Sequence, residues 1–263
     1  MSINKCRIGG IISEKPRICY DGFYKRTLRV KLDINRNDLC KFEHITCLII
    51  DKDLITKAQD SIHVGDYFVA TGRFVCFEYK KRHTMKCPHC GEVSQRVRCV
   101  RKTDIILDDF EVSAGTFLPD SEGINSVVIS GVIPYPIKSN SNHTWFSVAN
   151  NRPEKAQKFL NEFILKEIQS GTERFNPICI NGFNEVAESI NNNINQKDRI
   201  IAKGYIYIHH IRYQIPFRCK YCGEYSNQYI EYSRYDVVAK CVTHDVGYIP
   251  KLKNEVISEF YAN

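Results

Sequence analysis

Apolar and polar residues alternate along most of this chain with the two-residue period of a β-strand. In the first part, "KCRIGGII" (Lys5–Ile12), "RTLRVKLDI" (Arg26–Ile34) and "HITCLII" (His44–Ile50) predict three strands, each bounded by turn residues. "DLITKAQDSI" (Asp53–Ile62) changes period: Leu54, Ile55, Ala58 and Ile62 share one helical face. "DYFVATGRFVCF" and "RKTDIIL" (Arg101–Leu107) predict a fourth and a fifth strand. The second part repeats the order, with strands at Asn125–Ile133, His143–Ala149 and Asn176–Gly182, a short helix near Glu185–Ile190, then "DRIIAKGYIYI" and "RYDVVA". It adds one helix, 152–169, whose Phe159, Leu160, Phe163, Ile164 and Ile168 follow helical spacing and suit core packing.

The repetition extends to individual residues. "MKCPHCGEVSQ" (Met85–Gln95) returns 132 residues later as "FRCKYCGEYSN" (Phe217–Asn227). At that shift, without a gap, Cys47 falls on Cys179, Ile62 on Ile194, and Asp66, Ala70 and Gly72 on Asp198, Ala202 and Gly204. From Cys47 to Asp104 there are 11 identities in 58 columns, enough with the shared apolar pattern to imply a duplication. The expected layout is a first domain over 1–112, a linker over 113–124 and a second domain over 125–263. Three strands, a helix and two strands is the order of an OB-fold, a five-stranded Greek-key barrel. The fold class expected is therefore mostly β, two tandem OB-folds, each with a hairpin inserted between strands four and five, at about 76–102 and 208–244.

The stretch "GDYFVATG" (Gly65–Gly72), a turn Asp before an apolar strand that breaks at Gly, resembles the fourth strand of bacterial single-stranded DNA-binding proteins. The second copy, "KDRIIAKG", departs from it by Lys197 in place of the first Gly. The resemblance implies an SSB-like OB-fold and a single-stranded DNA partner.

Cys-x-x-Cys-Gly supplies two ligands of a tetrahedral zinc site, and its presence in both hairpins predicts two structural zinc ions. Cys87 and Cys90 are expected to be joined by Cys99 and His83. Cys219 and Cys222 are expected to be joined by Cys241 and His244, a spacing like that of zinc ribbons. A hairpin loop of about 25 residues should be floppy, and a metal would hold it in one shape before a ligand arrives. The chain holds twelve cysteines. Its N-terminal stretch is charged within five residues and lacks an apolar signal core, so the cysteines read as metal-binding or buried thiols in a cytoplasmic protein.

Net charge is +7, unevenly spread: residues 1–112 hold 21 Lys/Arg against 15 Asp/Glu, the remainder 16 against 15. Most of the excess lies in the first hairpin, with Lys80, Lys81, Arg82, Lys86, Arg96, Arg98, Arg101 and Lys102 against Glu92, interleaved by Phe74, Phe77 and Tyr79. Strand alternation leaves Arg29 and Lys31 outside the first barrel. In the second it turns Phe146 inward and Trp145 outward. Tyr205, Tyr207 and Tyr213 continue along the next strand. Cations and exposed aromatics beside an OB-fold groove suit phosphates and stacked bases. No P-loop, HExxH, GxSxG or GxGxxG motif is present, and a zinc with four protein ligands has no open position for catalysis, so no enzyme is expected. The expected function is single-stranded DNA binding in replication, recombination or mobile-element metabolism. The alternatives are a scaffold for replication proteins and an RNA-binding protein.

Overall fold

The computed structural model describes residues 2–20, 23–36, 41–114, 123–151, 160 and 175–245. The first half contains β1 (Asn4–Ile12), β2 (Arg17–Cys19), β3 (Thr27–Arg36), β4 (Lys41–Ile49), α1 (Lys52–Ser61), β5 (Tyr67–Lys86) and β6 (Val93–Ser113). The second contains β7 (Ile124–Val132), β8 (Lys138–Ser139), β9 (His143–Asn151), β10 (Phe175–Phe183), α2 (Glu185–Asn193), β11 (Arg199–Arg218) and β12 (Tyr225–His244). Leu160 is buried and forms an isolated bridge with Tyr24. The rest of the helix expected over 152–169, and most of the linker expected over 113–124, lie outside the described residues.

Alternation builds the barrels as the pattern requires. Leu28, Val30, Leu32 and Ile34 of β3 point inward and are buried, while Arg29 between them is exposed. α1 starts at Asp51, whose carboxylate accepts from the N–H groups of Asp53 and Leu54, satisfying two of the free donors of the first turn. It buries Ile55 and Ala58; α2 buries Ala187 and Ile190.

Each half closes on itself. β1 pairs with β3 and β5, β3 with β4, β5 with β6, and β4 runs parallel to β6. In the second half β7 pairs with β9 and β11, β9 with β10, β11 with β12, and β10 runs parallel to β12. The two rings join where β1 lies antiparallel to β7, from Asn4 opposite Ile129 to Gly9 opposite Ile124. One continuous twelve-stranded sheet results, and one apolar core runs through both rings.

The turn before β5 is duplicated in detail. Asp66 accepts from the His63 N–H, and its equivalent Asp198 accepts from the Asn195 N–H. Gly65 takes φ +93° there, and Lys197 takes φ 77°. The second copy thus holds a non-glycine residue in the left-handed region that glycine occupies in the first.

The ungapped register fails at one place. Cys47 points into the core with Ile45 and Ile49, whereas in β10 Ile178 and Ile180 point inward and Cys179 lies on the outer side. The third strands are one residue out of step, and a one-residue slip changes the face of every side chain. From the helix onward the register holds: Ile55, Ala58 and Ile62 correspond to Ala187, Ile190 and Ile194.

The last two strands of each half are longer than the apolar pattern predicted. β5 and β6 stay paired from Phe77 opposite Lys102 out to Lys86 opposite Val93, and β11 and β12 out to Arg218 opposite Tyr225. Beyond the barrel no core imposes apolar alternation, but the backbone ladder continues through polar residues. The expected floppy loops are ordered hairpins. Each hairpin bends at a bulge, between Thr71 and Gly72 and between Lys203 and Gly204. A β-carbon on Gly204 would lie 2.0 Å from the Val238 carbonyl oxygen, so backbone must move to admit one. Gly204→Ala is expected to destabilise by about 1–3 kcal/mol. Urea unfolding would read this as a lower midpoint, and an unchanged midpoint would refute the close backbone approach.

Candidate metal centre and nucleic-acid interface

Both hairpins end in the same knuckle. The Cys87 N–H donates to the Glu92 carbonyl (2.8 Å) and the Gly91 N–H to the Cys87 carbonyl (3.0 Å). In the other hairpin the Cys219 N–H donates to Glu224 (2.9 Å) and the Gly223 N–H to Cys219 (3.1 Å). Gly91 and Gly223 take φ of 76° and 75°, a turn that glycine makes without steric cost.

The two tips meet each other. Met85 packs with Ile215 and Phe217, together with Cys87 and Cys219, into a small core of their own. Gln228 donates across the junction to the Lys86 carbonyl at 2.5 Å. This packing brings Cys87 Sγ to 3.7 Å from Cys222 Sγ, and Cys90 Sγ to 3.6 Å from Cys219 Sγ. All four sulfurs lie within 4.8 Å of one another. Tetrahedral ligation with metal–sulfur bonds of about 2.3 Å requires sulfur–sulfur edges of about 3.8 Å. The four cysteines therefore fit one tetrahedral ion held two and two.

The acid–base chemistry of the group fits a cation as well. The backbone N–H groups of Cys222 and Tyr221 bring the Cys219 thiol down to about 7. At Cys222 the Glu224 N–H also pulls downward, but desolvation and the sulfurs of Cys219, Cys87 and Cys90 prevail and push it up to about 12. One thiolate forms readily, while the thiols of Cys90 and Cys222 are held above the usual range. A bound cation removes that conflict by compensating all the thiolates together.

This differs from two separate sites. Cys99 and His83 are not part of the group, and neither are Cys241 and His244. Sequence spacing treats the chain after each knuckle as a loop free to return. In the structure it is a rigid strand, which carries Cys241 about 50 Å of contour from the turn at about 3.3 Å per residue. Cys241 is exposed opposite Lys203, and His244 pairs with Asp198 at 3.1 Å. Cys99 is exposed opposite Lys80. His83 stands between the hairpins, beside Arg98, Tyr213 and Tyr232. Desolvation, then Lys81 and Arg98, hold its pKa below the usual histidine range.

Each hairpin crosses the opposite barrel. The Cys76 N–H donates to Asn176 Oδ1 on β10 at 3.1 Å, and Arg101 reaches Ser147 Oγ on β9 at 3.2 Å. In return the Tyr235 hydroxyl accepts from the Thr46 N–H of β4 at 2.8 Å and donates to the Thr46 carbonyl at 3.1 Å. Between the first hairpin and the second barrel lies a cleft of about 600 Å³, whose walls include Arg101, Lys138, Trp145, Tyr213, Tyr232 and Arg234.

The expected nucleic-acid residues divide by their surroundings. Lys80, Lys81, Arg82 and Arg96 are exposed, and among the described residues none has an ion-pair partner. Arg98 lies over the Tyr213 ring at 5.7 Å. Arg101 is mostly buried and ion-paired to Glu78, so it serves the junction between the halves. Phe74 is a correction: it has no exposed surface and belongs to the first barrel's core, because simple alternation along β5 puts it on the inward face with Phe68 and Ala70. Tyr79 packs edge-on against Phe23 at 5.3 Å. Arg29 is exposed, and Lys31 is paired with Glu14 at 2.6 Å. Phe146 is buried and Trp145 partly exposed; Tyr207 and Tyr213 are exposed. Tyr205 lies under Lys240 at 5.9 Å. His143, Phe183, Lys138 and Tyr232 were not singled out by sequence. Alternation along β9 signals His143 two residues before Trp145, but the other three come together only through the fold.

The fold is similar to crystal structures of the single-stranded DNA-binding protein from Thermus aquaticus. The wild-type protein superposes with a TM-score of 0.51 at 10% identity, covering 97% of this chain and 98% of that one. A deletion mutant gives 0.52 at 12% identity, covering 96% and 98%. At such identities the likeness is one of fold, and it spans both halves. No protein-family model and no curated protein matches the chain. Among the described residues no helix is long and apolar enough to cross a membrane.

Titration with Co²⁺ distinguishes the shared site from two separate ones. Cys90→Ser and Cys222→Ser should each weaken thiolate-to-cobalt absorption and lower ion affinity by at least about tenfold. Cys99→Ser, Cys241→Ser and His244→Ala should leave both unchanged. Saturation at two ions per chain would refute the shared site.

Proposed function

We propose that the chain is a non-catalytic single-stranded DNA-binding protein. In this reading it consists of two tandem OB-folds, over 1–112 and 125–263, with one structural zinc ion at the four cysteines. The observation that carries the proposal is the agreement in fold, over nearly the whole chain, with a protein described as binding single-stranded DNA. The surface chemistry supports it: the first hairpin carries unpaired cations and forms one wall of a cleft lined also by Trp145 and three tyrosines. Four thiolates at tetrahedral spacing favour zinc, and four protein ligands leave it a structural role. The described cysteines are thiols rather than disulfides, which supports a reducing, cytoplasmic setting. We place its action in the handling of single strands during replication, recombination or mobile-element metabolism.

Fluorescence anisotropy with labelled oligo-dT, duplex and RNA of equal length tests the reading. Oligo-dT should bind more tightly than duplex, with affinity falling as salt rises. Each phosphate that is no longer neutralised should reduce the slope of log affinity against log salt by about 0.7. Lys80→Glu, Lys81→Glu, Arg82→Glu and Arg96→Glu together should therefore weaken binding and flatten its salt dependence. Equal binding to duplex, or tighter binding to RNA, would overturn the assignment.

A further inference from the structure

Three rings form a column on the outer face of the second barrel. Phe183 lies nearly parallel to His143, with centroids 4.5 Å apart and planes at 8°. His143 in turn lies on Trp145 at 4.9 Å and 23°. The middle ring is fixed, because Asn181 Oδ1 lies 2.9 Å from His143 Nε2 and Asn181 is itself buried. Of the three rings, Trp145 alone lines the cleft. The column thus ends at the cleft on Trp145, which is partly exposed there. Tyr213 and Tyr232, 5.9 Å apart, form part of the cleft wall, and Lys138 lies opposite Trp145 in the β8–β9 ladder. A volume of about 600 Å³ is within the usual range for ligand pockets.

The corresponding surface of the first barrel is different. The outward residues of β3 are Arg29, Lys31, Asp33 and Asn35, with Lys31 and Asp33 engaged by Glu14 and His44, and the one exposed ring beside them is Phe42 of β4, opposite Asn35, with no stacked partner among the described rings. The stacked ring column belongs to the second half, whereas the excess of cations belongs to the first half's hairpin, which lies across the cleft that Trp145 lines.

We infer that the cleft is a single nucleobase subsite built by both halves. A base of the bound strand stacks on Trp145 as the fourth ring of the column, while Lys138 and the first hairpin's cations meet the flanking phosphates. The inference rests on the single-stranded DNA reading and makes it specific: one stacking site per chain, not one per barrel. Stacking uses the π-face that every base presents, so the site tolerates any sequence.

Trp145 is the only tryptophan, so its fluorescence reports this site alone. Full-length protein is titrated with a labelled dT oligomer of about 8 nucleotides, within the span of one barrel. Anisotropy and tryptophan emission are followed together. Quenching should track the anisotropy change and saturate at one oligomer per chain. Trp145→Ala should weaken binding by about 5- to 150-fold. Trp145→Phe should restore most of the loss, which separates a stacking role from a folding defect. Full anisotropy change without quenching, or two equivalent oligomers per chain, would overturn the composite site while leaving single-strand binding intact. No anisotropy change with any single strand would overturn the functional reading, and the subsite with it.

Discussion

A two-stranded ribbon is marginally stable in water by itself, and this chain carries two that extend beyond their barrels. The rest of the architecture depends on how they are supported. Each crosses the other half's barrel, anchored by Asn176 on one side and Thr46 on the other, and the tips then pack against each other around Met85, Ile215 and Phe217. The meeting of the tips sets the distances among four sulfurs and holds the first hairpin over the second barrel. The four-sulfur cluster and the cleft geometry are thus two results of one reciprocal embrace.

Side-chain amides repeat the arrangement at smaller scale. Asn4 both donates to and accepts from the backbone of Phe74, and Asn125 does the same for Ile206. Phe74 and Ile206 are equivalent residues just beyond the two bulges. Asp104 and Asp236 are a second equivalent pair, each ion-paired to the base two residues earlier, Lys102 or Arg234. The framework has been kept in duplicate while the surfaces have diverged, one toward cations and the other toward rings.

The sequence made the order of strands and helices legible, because alternation and helical spacing arise wherever an element faces a core. It also marked the knuckles, since Cys-x-x-Cys-Gly is a local motif. It pointed to Cys99, Cys241 and His244 by their distance along the chain, and none of these joins the four-sulfur cluster. The sulfurs that lie against Cys87 and Cys90 are 129 to 135 residues away, at the tip of another hairpin. Phe74 was grouped with the basic hairpin although alternation from Phe68 and Ala70 already turns it inward, and the pattern failed at Cys179, where a one-residue difference between the copies turned a side chain outward. His143 and Phe183 escaped for a related reason: a ring column is made by three side chains on two strands, and neither strand carries its signature alone.

The ladder between β1 and β7 is formed by main-chain N–H and carbonyl groups. Such a seam asks little of the side chains that flank it, beyond the small residues where strands approach closely. Two gene copies joined by a side-chain interface must change in concert or come apart. Along β1 and β7 the copies are joined through backbone, which leaves the flanking side chains free to differ, whereas at the hairpin tips and at the Asn176 and Thr46 anchors side chains join them and must change together.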